Sequence, residues 1–66
     1  MSENVKIWFN NLISNEISEI NGIISNEEIF EKGYSGKEDN PHTNNLKDLH
    51  EYVEFLEGIK FSIKES

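Results

Sequence analysis

Residues 5–24 read VKIWFNNLISNEISEINGII, and their apolar side chains recur at intervals of three and four positions. That spacing is typical of an α-helix with one apolar side, because a helix turns by about 100° per residue. The strict alternation of apolar and polar residues that a strand would need is absent. The sequence therefore predicts a first helix over about residues 3–32.

Two features predict a kink or restart near residues 22–25. Gly22 weakens the helix locally. Ser25 and Glu28 then stand in the S-x-x-E spacing of a capping box, in which hydroxyl and carboxylate each satisfy a free backbone amide. Lys32 and Gly33 form a plausible C-terminal stop.

Residues 33–43, GYSGKEDNPHT, are expected to form a loop, since Gly, Pro, Asp and Asn replace the periodic apolar pattern. A second helix is expected over about residues 44–64, with apolar spacing at Leu46, Leu49, Val53, Leu56 and Ile63. Its start could be capped by Thr43, Asn44 or Asn45, and Asp48 is expected near the first turn.

The predicted fold is all-α: one domain, residues 1–66, folded as an antiparallel helical hairpin. Each helix has an apolar arc wider than a single helix contact can cover, and the chain has no cysteine to staple so small a core. Self-association into a four-helix bundle dimer, or a higher oligomer, would cover the remainder. The expected oligomer interface is Trp8, Phe9, Leu12, Tyr52 and Phe55.

The net charge is −7, with 13 acidic residues against 6 lysines. Binding to nucleic acid or to an anionic membrane needs clustered positive charge, so neither is expected. No stretch approaches the roughly 20 apolar residues of a membrane span. Nothing at the amino terminus resembles a signal peptide. We therefore expect a soluble, cytoplasmic protein. Arg, Ala and Gln are absent while Asn, Ile, Glu and Lys are abundant, which suggests an AT-rich gene and hence a bacterial or an infected bacterial host cell.

An acidic stripe runs along the second helix at Asp48, Glu51, Glu54 and Glu57. It could face a basic partner protein, with Phe61, which lies off the apolar stripe, as an exposed contact. A solvated helix face is the alternative interpretation. Glu16 and Glu19 lie near the apolar arc of the first helix and are expected to meet lysines of another helix.

A second candidate site is the loop and the following helix start. An anionic ligand such as a phosphorylated small molecule could bind there, at Tyr34, Lys37, His42, Thr43, Asn45 and Lys47. The alternative is that these residues only form turns and caps.

No catalytic residue, cofactor or metal site is expected. There is no Cys, no GxSxG motif and no Gly-rich nucleotide loop. His42 with Asp39, or His50 with Glu54, could touch a metal, but two isolated histidines do not make a three-ligand centre.

The predicted helices include segments such as LISNEISEI (12–20) and LKDLHEYVEFL (46–56). In size, charge and helix–loop–helix layout, the chain resembles the small acidic helical inhibitors of Bacillus and its phages, such as antirepressors. It is also similar in organisation to phage proteins that sequester cyclic nucleotide immune signals through oligomeric helical hairpins. Neither segment carries a diagnostic motif. The leading hypothesis is a non-catalytic inhibitor or regulator from a phage or mobile element that dimerises and occupies a basic protein surface. The alternatives are a small-ligand sponge and a purely structural self-assembling protein.

Overall fold

A computed structural model describes all residues, 1–66. The chain forms two helices, α1 (Glu3–Gly33) and α2 (Pro41–Glu65), that pack against each other. The predicted all-α antiparallel hairpin is confirmed. Neither helix is long and apolar enough to cross a membrane.

Helix α1 begins where Ser2 caps it, since the Ser2 hydroxyl accepts a hydrogen bond from the Val5 amide at 3.2 Å. It then continues to Gly33 without interruption, so the helix does not restart near residues 22–25; a kink there stays a prediction. The Ser25 hydroxyl does not cap a new helix but donates to the Asn21 carbonyl one turn back, at 3.1 Å. A mid-helix glycine costs only about 1 kcal/mol, and buried side chains on either side of it hold the helix together.

Helix α2 begins at Pro41, three residues before the predicted start. Asn40 is the cap: its side-chain oxygen accepts from the His42 amide at 3.0 Å, and its side-chain nitrogen donates to the Glu31 carbonyl at 3.0 Å. Proline suits the first helical position because its missing N–H would be unpaired there anyway. The predicted caps Thr43, Asn44 and Asn45 therefore lie inside the helix, and the loop shortens to residues 34–40.

Asp48 was expected near the first turn of α2, and that expectation is also wrong. The first turn contains no acidic residue, because the helix starts at Pro41 rather than near residue 44. Asp48 therefore lies two turns into the helix, where the dipole offers it little stabilisation.

The core is one seam between the two helices. Five side chains are buried, and all are aliphatic: Ile13, Ile20, Ile24, Leu46 and Leu56. Ile20, Ile24 and Leu46 form a cluster against which Leu49 and Val53 pack. The molecule is a rod of 53 × 15 × 9 Å with a radius of gyration of 15.6 Å, whereas a compact domain of this length would have about 11 Å.

Replacing Ile24 by Ala should lower the free energy of unfolding by about 2 kcal/mol, because it removes buried methylene groups from the centre of the only core cluster. The matched control is Ile29→Ala in the same helix, where the side chain is 67% exposed and the expected change is within about 0.5 kcal/mol. Urea denaturation followed by circular dichroism, at one protein concentration, measures both. Equal losses in the two variants would contradict the assigned seam.

Candidate functional site

The loop end of the hairpin holds a cluster of polar groups that joins α1 to α2. Nδ1 of His42 lies 2.8 Å from Oε2 of Glu27, and the Asn45 side chain donates to the same oxygen at 3.3 Å. One turn along, the Thr43 hydroxyl donates to Oε2 of Glu31 at 2.7 Å. The first turns of α2 are thus held by two carboxylates of α1.

Aromatic rings surround the His42 imidazole. Phe30 stacks on it with ring centroids 5.6 Å apart, and Tyr34 meets it edge-on at 6.3 Å. The Glu27 side chain that His42 contacts is 18% exposed. The hydrogen bond from His42 lowers the pKa of the Glu27 carboxyl below its ordinary value, since it stabilises the ionised form; desolvation opposes this shift and the Asn45 hydrogen bond adds to it.

The structure brings together only part of the predicted ligand site. Tyr34, His42, Thr43 and Asn45 do lie at one end of the hairpin, but the last three are bound to carboxylates. Lys37 and Lys47 are exposed and make no ion pair. Glu27 and Glu31 were missed by the sequence analysis, although their spacing of four residues puts both on one side of α1.

Metal ligation has little support in this arrangement. His42 contacts Glu27 rather than Asp39, and His50 is exposed. No group of three His, Cys, Asp or Glu side chains is placed to hold a metal ion.

A second feature is the surface that we call the aromatic face: Trp8, Phe9, Leu12, Tyr52 and Phe55. Trp8 is 66% exposed and Phe55 62%; Leu12 and Tyr52 are also exposed, and Phe9 is half-buried. On a wheel of about 100° per residue, Leu12 lies about 100° and Trp8 about 140° around α1 from its buried isoleucines. Phe55 lies a similar angle from the buried leucines of α2.

The two halves of the aromatic face lie on the same side of the hairpin. Ile23, on the Leu12 side of α1, shares a surface depression with Asp48 of α2. Asp48 in turn lines the next depression along α2 with Glu51, Tyr52 and Phe55. Apolar rings and carboxylates are therefore neighbours on one surface.

The acidic stripe is fully exposed, at Asp48, Glu51, Glu54 and Glu57, as is Phe61 at 65%. Glu51 projects away from α1, because its helical position is opposite the buried leucines. Glu54 lies about 120° from those leucines and is rotated away from the aromatic face. None of the four makes an ion pair. Glu16 and Glu19 meet no lysine of α2 within the hairpin, and Glu16 is half-buried beside the aromatic face. Their contact with lysines of another helix in an oligomer stays a prediction.

Comparison with protein-family models, with curated proteins and with solved structures finds no match to this chain.

The lowered pKa of Glu27 predicts how stability varies with pH. The ionised carboxylate stabilises the fold fully above its ordinary pKa of 4.5, and this contribution is lost as the pH falls through the lower folded-state value. Glu27→Gln should therefore lower the melting temperature at about pH 6. The difference in melting temperature between this variant and the wild type should disappear in more acid solution. Thermal melts over a pH series measure this gap.

Glu28→Gln is the matched control for that series, because Glu28 is exposed and makes no hydrogen bond or ion pair. It should melt close to the wild type near neutral pH. A gap for Glu27→Gln that stays constant down to the lowest pH would show that the ionised carboxylate is not what stabilises the loop end.

Proposed function

We propose that this chain is a non-catalytic binding protein that self-associates through the aromatic face and occupies a basic surface of a partner protein with its acidic stripe. The observation that carries the proposal is an exposed cluster of aromatic side chains beside carboxylates without ion-pair partners. Large aromatics are the side chains that most often dominate binding energy in protein interfaces.

Self-association is supported by the surface that the hairpin leaves uncovered. Its accessible area is 5170 Å², whereas a compact monomer of this mass would expose about 4,300 Å². The excess is comparable to the roughly 800 Å² that each partner buries in a standard interface. Two hairpins joined at their aromatic faces would form a four-helix bundle.

The acidic stripe suits a different partner. Because Glu51 projects away from α1 and Glu54 is rotated away from the aromatic face, a dimer formed through that face would leave them open. A chain with a net charge of −7 is steered towards positively charged surfaces and away from nucleic acid. Phe61 could add an apolar contact at the rim of such an interface.

The physiological role consistent with this arrangement is inhibition or regulation of the basic partner, as in the small acidic phage inhibitors that the chain resembles in size, charge and layout. A sponge for a phosphorylated ligand at the loop end has less support. Glu27 and Glu31 already occupy His42, Thr43 and Asn45, and their charges would repel an anion. A purely structural assembly would use the same aromatic face but would bind no basic protein.

Trp8→Asp with Phe55→Asp should convert the self-associated protein to a monomer, because each places a charge at the centre of the proposed interface. Sedimentation equilibrium gives the mass directly, and circular dichroism checks that the helices remain. Ile29→Asp is the control, as Ile29 is equally exposed but lies opposite the seam of α1. A wild type that stays monomeric at high concentration would contradict self-association.

Reversing three charges, with Glu51→Lys, Glu54→Lys and Glu57→Lys together, should abolish binding of the basic partner while leaving helix content unchanged. Wild-type and variant proteins can be immobilised and the captured proteins compared by quantitative mass spectrometry. The control reverses three exposed glutamates elsewhere, Glu28, Glu38 and Glu65. A basic protein retained by the wild type and the control but lost from the variant is expected; identical captures on all three would overturn the role of the stripe.

A further inference from the structure

Charge is unevenly distributed along the rod. At the end formed by residues 1–10 and 58–66, which we call the basal end, three lysines face two glutamates. Over residues 11–57 there are three lysines and eleven carboxylates. The basal end therefore differs from the rest of this strongly acidic protein, because its lysines outnumber its acidic side chains by three to two.

The three basal lysines converge on a single groove between the start of α1 and the end of α2. The groove has a volume of about 410 Å³ and is lined by Glu3, Lys6, Ile7, Asn10, Lys60, Ile63 and Lys64. It lies on the side of the seam opposite the aromatic face, since Asn10 and Lys64 are rotated from the buried residues in the opposite sense to Trp8 and Phe55. A dimer formed through the aromatic face would leave this groove open.

Few carboxylates of the chain lie close enough to these lysines to neutralise their charge. The Lys6 ammonium has one ion-pair partner, Glu3 at 3.7 Å, and the Glu3 side chain is 84% exposed. Such an exposed ion pair contributes little to stability in water. Lys60 is half-buried, and neither it nor Lys64 has a carboxylate within 4.0 Å. The three lysines thus line one groove, two of them half-buried, with one weak counter-charge.

The helix dipoles account for the position of only one of the three basal lysines. Lys64 lies in the last turn of α2, where the helix dipole favours a cation. Lys6 lies near the positive end of the α1 dipole, which disfavours it, and Lys60 interrupts the apolar spacing of α2 at a half-buried position. Their convergence is better explained by an anion that binds between them.

We propose that the basal groove binds a compact oxyanion, a phosphoryl or carboxylate group carried by a small molecule. The ammonium groups of Lys6, Lys60 and Lys64 supply the charge, and the Asn10 amide supplies a neutral hydrogen-bond donor. Ile7 and Ile63 give an apolar wall for the rest of the ligand. This inference does not depend on the proposed partner-binding function, because it uses the opposite side of the hairpin.

Isothermal titration calorimetry at low ionic strength tests the site with two probes, inorganic pyrophosphate and citrate. The wild type should bind at least one of them, and comparison of the two tells phosphoryl from carboxylate preference. Lys60→Gln with Lys64→Gln should weaken binding by about tenfold or more, since it removes two of three charge-assisted contacts. The charge-matched control, Lys32→Gln with Lys47→Gln, removes two exposed lysines outside the groove and should bind as the wild type does.

A second measurement guards against a folding defect at half-buried Lys60. Lys64→Gln alone changes an exposed side chain, so weaker binding of the probe by this variant does not come from a folding defect at Lys60. In the wild type, amide resonances of Asn10 and Ile63 should shift on addition of the probe. The proposal is overturned if neither probe binds the wild type, or if both lysine pairs lose affinity equally. It is also overturned if the groove variant binds the probes unchanged but self-associates less, which would assign the lysines to carboxylates of a second copy.

Discussion

A two-helix hairpin has one seam, and that constraint determines the rest of this structure. Two helices can cover only the stripe that each presents to the other, so five aliphatic side chains are buried while the wider apolar arcs remain uncovered. Burial of so few residues leaves a small margin over the conformational entropy lost on folding. The exposed aromatic face follows from this limit: the chain has more apolar surface than a single seam can use.

The loop end compensates for the thin core with hydrogen bonds that join the helices. Asn40 caps α2 with one side-chain atom and binds the Glu31 carbonyl with another, so the turn and the helix start are fixed together. The Glu27 carboxylate then holds His42 and Asn45 from across the seam. Because these contacts already use the hydrogen-bonding side chains of the loop end, that end is better suited to a structural role than to ligand capture.

Periodicity was sufficient to predict both helices, the hairpin and the exposure of Trp8 and Phe55, because these depend on local spacing alone. Local motifs were less reliable. Ser25 and Glu28 have the spacing of a capping box, but they lie inside a helix that packing keeps continuous. Pro41 was predicted to lie in a loop, although proline suits the first position of a helix. The contact between Glu27 and His42 joins residues fifteen apart and could not be derived before the register of the seam was known. Lys6 lies more than fifty residues from Lys60 and Lys64 in the chain, and it meets them in one groove for the same reason.

The three surfaces of the rod therefore have different chemistry: aromatic on one side, acidic along the outside of α2, and basic in the groove at one end. Self-association through the aromatic face would place Trp8, the single tryptophan, in the interface, so its fluorescence reports on that contact. Its fluorescence emission should be measured across a dilution series, with acrylamide quenching at each concentration. If a second copy covers Trp8, the emission is blue-shifted and protected at high concentration, and it becomes red-shifted and quenchable on dilution. Solvent-exposed emission at every concentration would contradict self-association through this face.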